Sequence, residues 1–148
     1  MYLNVRSLKS KLESFIEKIM EVEPTVFCVT ETRLHKDEEF DMESEGYAVY
    51  RNDRNNNGGG VLIGVKIELK NVCTIVEKKK DIEESIWVLI NNSRIQLRIG
   101  CIYAPQESRT SKEVLEKMYD SIQEQIEIAK ERQSGKSGDL LIRRSPLV

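Results

Sequence analysis

Alternation of apolar and polar positions is clearest over residues 94–105, RIQLRIGCIYAP. Ile95, Leu97, Ile99, Cys101 and Tyr103 fall on one side of an extended chain. Arg94, Gln96, Arg98 and Gly100 fall on the other, until Ile102 breaks the pattern. A period of two predicts a half-buried strand. Pro105 has no amide hydrogen to give a sheet ladder, so the strand ends there in a loop. Tyr103 at that end is either a packing aromatic or a hydroxyl aimed at a ligand.

The remaining segments follow the same two periods. Residues 1–4 look like the last residues of a strand. Leu8, Leu12, Phe15, Ile16 and Ile19 recur at helical spacing, with Ser7 as an N-cap candidate and Ser10 with Glu13 as a capping box. Pro24 closes that helix. Residues 25–30, TVFCVT, form a short β-branched run suited to a strand buried on both faces. Further strands are predicted over 47–50, 61–65, 72–76 and 86–90. The turn Asn91-Asn92-Ser93 joins the last of these to 94–105 as a hairpin. A second helix carries Val114, Leu115, Met118, Tyr119, Ile122, Ile126 and Ala129 on one face, opened by a Thr110–Glu113 capping box. After a Gly/Ser/Lys breaker at 134–137, residues 139–142 (DLLI) begin another strand. The acidic stretch 35–46 reads as a solvated loop, and 77–84 is a charged connection between two strands. Gly58-Gly59-Gly60 runs into a strand rather than a helix and lacks the spacing GxxxxGK[ST], so a hairpin or bulge is expected and not a phosphate cradle. The order of elements predicts an α+β (layered α/β) domain with helices against a mixed, mostly antiparallel sheet.

Composition narrows this little further. The chain has 148 residues, enough for one domain with a real core. A formal net charge of −2 leaves no global basic field, so nucleic-acid binding needs a local cationic patch. Arg51, Arg54, Arg94, Arg98, Arg143 and Arg144 are the candidates for one. Cys28, Cys73 and Cys101 sit in apolar runs without metal-ligand spacing and read as reduced core thiols. With no signal-peptide pattern or membrane-spanning run, an intracellular setting, nuclear or cytoplasmic, is expected.

Asn4, Glu31 and Tyr103 each stand at or just beyond the C-terminal end of a predicted strand, where ligand sites of layered sheet proteins collect. A carboxylate there can hold Mg²⁺, which takes few protein ligands and prefers oxygen. An amide can hold a phosphate oxygen, and a phenol can donate to one without adding charge. These are parts for metal-assisted phosphodiester hydrolysis.

Four strings occur in order around these residues: NVRSL at 4–8, ETRL at 31–34, GGGV at 58–61 and IYAP at 102–105. Together they resemble the endonuclease/exonuclease/phosphatase superfamily, the deoxyribonuclease-I-like fold. The closer resemblance is to the endonuclease domain of non-LTR retrotransposon polyproteins. It implies half of a two-sheet β-sandwich flanked by helices, incomplete here, spanning residues 1–142, with 143–148 as an unrelated tail. It also implies Asn4 as an active-site asparagine, Glu31 as a metal ligand and Tyr103 as a phosphate contact. Mg²⁺ is the implied cofactor, with Mn²⁺ as the substitute, and DNA the implied partner.

The chain departs from that pattern in two places. The family's Gly-Asp-Phe-Asn motif and its late Ser-Asp-His motif are both missing. Asp139 is no substitute, because it precedes the apolar run that the family's aspartate follows. His35, the sole histidine, lies in the acidic loop and reads as a surface residue. The chain is thus expected to be a truncated phosphodiesterase domain, inactive by itself. A non-catalytic remnant that binds nucleic acid or protein is the alternative, as is a fragment acting on another phosphoester. If the chain holds one sheet, that sheet's inner face is left bare, and self-association through it is expected.

Overall fold

The computed structural model describes residues 1–54, 58–79, 84–103, 111–133 and 140–144. Among the described residues, eight strands form two four-stranded sheets. The first sheet contains β1 (Tyr2–Asn4), β2 (Val26–Thr30), β3 (Tyr47–Asn52) and β4 (Val61–Lys66), in the order β1-β2-β4-β3. The second contains β5 (Cys73–Lys79), β6 (Glu84–Asn91), β7 (Gln96–Tyr103) and β8 (Leu140–Arg144), in sequence order. Helix α1 (Leu12–Val22) connects the parallel pair β1 and β2, and α2 (Lys112–Gln133) connects the parallel pair β7 and β8. All other neighbours are antiparallel.

Strand alternation sorts the apolar side chains into layers. Cys28, Ala48, Val61, Ile63 and Val65 of the first sheet meet Cys73, Ile86, Val88, Ile90, Ile99 and Cys101 of the second in one core. On the opposite face of the first sheet, Phe27, Val29 and Leu62 pack under Phe15 and Ile19 of α1. Phe27 stacks edge-on against both Phe15 and Tyr47. Cross-strand glycines make room for the largest rings. A Cβ on Gly100, the register partner of Trp87, would stand 2.6 Å from the indole.

Three expectations are corrected. The described residues form two sheets, not one, and the inner faces of the two pack on each other. Strand β7 is buried on both sides, not one: α2 lies over its outer face, and Arg98 there is 7% exposed and donates to Gln125 Oε1 at 3.2 Å. Helix α1 has no side-chain cap. A 3-10 turn over Lys9–Lys11 precedes it, and Ser10 Oγ donates to the Ser7 carbonyl instead of accepting from a helix amide. The Thr110 half of the second capping box, Pro105, the 134–137 breaker and Asp139 lie outside the described residues.

Candidate active site

The strand registers bring several chain positions to one rim. Asn4 pairs with Thr30 across β1 and β2, and Thr30 pairs with Val61 across β2 and β4. Glu31 therefore follows directly after Asn4's partner, and Gly60 stands beside both. In the second sheet, Glu84 at the start of β6 is opposite Tyr103 at the end of β7.

Beyond the strand ends, the backbone leaves ordinary geometry to continue this pairing. Val5, Ser7 and Leu8 donate their amides to the carbonyls of Thr30, Glu31 and Thr32. Arg6, Ser7, Glu31 and Arg33 all have positive φ, with Glu31 at +56°. Non-glycine residues in that region carry strain of about 1–3 kcal/mol each, and such strain concentrates at functional sites. Here it turns the Glu31 side chain back toward β1. Asn4 Nδ2 donates to Glu31 Oε1 at 2.9 Å.

Tyr103 completes the group from the other sheet. Burial chiefly pushes its phenol above the ordinary range. The charges of Glu31 and Glu84 and a hydrogen-bonding interaction with Glu31 push the same way, while Arg54 opposes them. The phenol thus remains a neutral donor at physiological pH. The structure brings together all three residues singled out from the sequence: Asn4, Glu31 and Tyr103.

Glu84 is the residue that sequence reasoning missed. Its side chain is 11% exposed, receives the Gly60 amide and pairs with Arg54 Nη1 at 3.1 Å. Burial raises its carboxyl above the usual range, the Gly60 amide and Arg54 oppose this, and Glu31 adds to it. Gly59 and Gly60 of the glycine triplet accommodate this contact. Gly59 has φ +73°, and a Cβ there would lie 2.6 Å from the Glu84 carboxyl carbon. A Cβ on Gly60, at φ +87°, would collide with the Thr32 hydroxyl. The triplet lies in the connection of the β3–β4 hairpin, yet it cradles a carboxylate of the protein itself.

Asn52 locks the two sheets together beside this group, donating Nδ2 to the Ser85 carbonyl at 2.8 Å. Arg51 fastens the acidic loop. It pairs with Asp53 and donates to the carbonyls of His35 and Glu38. His35 itself is exposed. Of the arginines singled out for a cationic patch, Arg51 is engaged, Arg98 is under α2, and Arg94 is at the far end of the β6–β7 hairpin from Glu84. A shallow cleft of about 580 Å³, lined by Lys36, Glu38, Arg51, Asp53 and Lys78 among others, includes none of Asn4, Glu31, Glu84 or Tyr103.

For a divalent cation, the donor set is a single accessible carboxylate, Glu31. Among the described residues no group of three or more His, Cys, Asp and Glu side chains converges as a metal cage. Mg²⁺ suits such a site, since it commonly binds one or two carboxylates and fills its shell with water and substrate phosphate.

No protein-family model matches the sequence, and no curated protein sequence matches it. Solved structures do. The human Nocturnin catalytic domain with bound sulfate is similar over 92% of this chain and 56% of its own, at 16% identity and TM-score 0.60. TDP2 from Caenorhabditis elegans is similar over 94% of this chain and 42% of its own, at 10% identity and TM-score 0.58. AP endonuclease LMAP from Leishmania major is similar over 70% and 39%, at 17% identity and TM-score 0.55. The likeness shows the fold: the chain has part of a deoxyribonuclease-I-like fold. It spans between 39% and 56% of the length of the Leishmania, worm and human structures. Among the described residues no helix is long and apolar enough to cross a membrane.

Proposed function

We propose that the chain is part of a metal-dependent phosphodiesterase of the DNA-nicking type, closest to the endonuclease domain of non-LTR retrotransposons. One observation carries the reading. Asn4, Glu31 and Tyr103, drawn from both sheets, converge on a single cluster at the ends of β1, β2 and β7 in a deoxyribonuclease-I-like fold.

In this reading Glu31 holds Mg²⁺, which when bound supplies charge to offset the phosphodiester. Asn4 holds the Glu31 carboxylate in place and turns its amide to a phosphate oxygen. Tyr103, kept protonated by its surroundings, donates to another. Nothing in this set removes a proton from water or protonates a leaving oxygen. Those roles need the Gly-Asp-Phe-Asn and Ser-Asp-His residues that the sequence lacks, so the 148-residue chain binds but does not cleave.

Two measurements test this. The purified chain with Mg²⁺ and supercoiled plasmid is expected to show nicking no higher than a protein-free control; nicking that disappears in Glu31→Ala overturns the inactivity. Mn²⁺ relaxation enhancement of solvent water is expected to report binding in the wild type and none in Glu31→Ala. Equal enhancement in both removes Glu31 from the metal site.

A further inference from the structure

Arg54 is the cation of the cluster, and its anchoring sets it apart from the arginines around it. Its side chain is 54% exposed, while its partner Glu84 is only 11% exposed. Ordinary surface ion pairs join two mobile side chains and hold neither in place. Glu84 is not mobile in that sense. Its carboxylate also receives the Gly60 amide, and leaving would strand that buried donor. The carboxylate is a fixed seat, and the guanidinium is the part that projects from it.

A guanidinium has five N–H donors in one rigid plane, matched to paired oxygens of a phosphate. Arg51 uses its donors on Asp53, His35 and Glu38 and is largely covered. Among the described residues Arg54 pairs with Glu84 alone, and it keeps more than half its side chain exposed. It does so beside Glu84, whose register partner is Tyr103.

Charge gives the same answer. Glu31 and Glu84 place two carboxylates near one rim, which would repel a phosphodiester. A cation at Glu31 offsets one of them, and Arg54 offsets the other.

We infer that Arg54, seated on Glu84, binds a phosphate group of the substrate next to Tyr103. This rests on the phosphodiesterase reading and adds to it a residue that sets phosphate affinity. The pair with Glu84 orients the guanidinium before a ligand arrives, so little side-chain freedom is lost on binding.

The test uses the 148-residue chain, a fluorescein-labelled oligonucleotide and inorganic phosphate, without added metal. Anisotropy titrations at several salt concentrations give affinity and its salt slope. Titration of arginine Nε–H NMR signals with inorganic phosphate reports direct contact. Circular dichroism confirms that each variant is folded. Arg54→Ala is expected to bind the oligonucleotide roughly tenfold more weakly and to lose about one unit of salt slope. Arg54→Lys is expected to keep the slope and recover only part of the affinity, because an ammonium lacks the planar fork. One Nε signal, absent from Arg54→Ala, is expected to move with phosphate.

The two readings fail separately. If the wild type binds the oligonucleotide and Arg54→Ala binds it equally well with the same slope, the Arg54 seat is overturned and the nucleic-acid reading stands. If phosphate moves the Arg54 signal but the oligonucleotide does not bind, the seat stands and the nucleic-acid substrate falls. If the wild type binds neither probe, both are overturned.

Discussion

Glu84 and Tyr103 are register partners: the first residue of β6 faces the last residue of β7. This places a buried carboxylate beside a half-buried phenol, and the carboxylate bears on the phenol's ionisation. Burial raises both groups, and the negative charge of Glu84 raises Tyr103 further.

Alkaline conditions are expected to destabilise the fold before the lysines titrate fully. Tyr47, Tyr50 and Tyr103 all have phenols raised above the ordinary value, chiefly by burial. Each group holds its proton more tightly folded than unfolded. Their contribution is therefore intact below the unfolded phenol value near ~10 and declines as pH rises beyond it. Urea midpoints measured from pH 8 to 11 are expected to fall at the upper end. A smaller fall in Tyr50→Phe is the check, and an unchanged one refutes the assignment.

Glu84→Gln is expected to leave stability at pH 7 unchanged or to raise it. The folded state raises the Glu84 carboxyl, so the ionised group is disfavoured by folding at neutral pH. That penalty is relieved as pH falls through the folded value. Glutamine retains an oxygen for the Gly60 amide and removes the buried charge. Thermal melts at pH 7 of the two proteins decide it. A large drop in Glu84→Gln means that the Arg54 pair outweighs the burial cost.

Glu31 permits a cleaner separation of stability from chemistry. Its φ of +56° penalises any side chain with a Cβ. Glu31→Gly is expected to be about 1 kcal/mol more stable than Glu31→Ala, while both lose the carboxylate. Equal denaturation midpoints for the two variants would mean that the turn relaxes at no cost.

Gly59→Ala is expected to cost about 1–3 kcal/mol and to displace the Glu84 carboxylate, whose carbon would stand 2.6 Å from the new methyl. Burial and Glu31 still raise the Tyr103 phenol, but the displaced Glu84 charge adds less to it. Ultraviolet difference titration, with Tyr103→Phe as the blank, is expected to show a lower phenol value in Gly59→Ala than in the wild type.

Asn52→Ala is expected to cost about 1–3 kcal/mol, since it removes the Nδ2 bond to the buried Ser85 carbonyl. Denaturant unfolding measures it, and a loss under 0.5 kcal/mol, the ~0.5 scale of ordinary surface changes, would deny Asn52 its role between the sheets.

The strands were legible because period-two alternation survives in the residues facing the inter-sheet core, such as Val61, Ile63 and Val65. The number of sheets was not, because alternation identifies an inward face without naming what covers it. Arg98 shows the same limit: a polar residue on the outer face of β7 reads as solvated until a helix of 22 residues lies across it. Asn4, Glu31 and Tyr103 were legible through the strings around them. Glu84 was not, because it ends the acidic run DIEE, and composition cannot tell which acid in a run turns inward. The available signal was the glycine triplet. Gly59 and Gly60 leave room where a Cβ would collide, Gly59 against Glu84 and Gly60 against Thr32.

The cluster is divided between two sheets, with Asn4 and Glu31 on one and Glu84 and Tyr103 on the other. The side chains between those sheets, Ile63, Ile86 and Ile99 among them, thereby become the spacer of a caliper. Trimming a methyl group there changes no atom of the site, yet it alters the gap its jaws are set to.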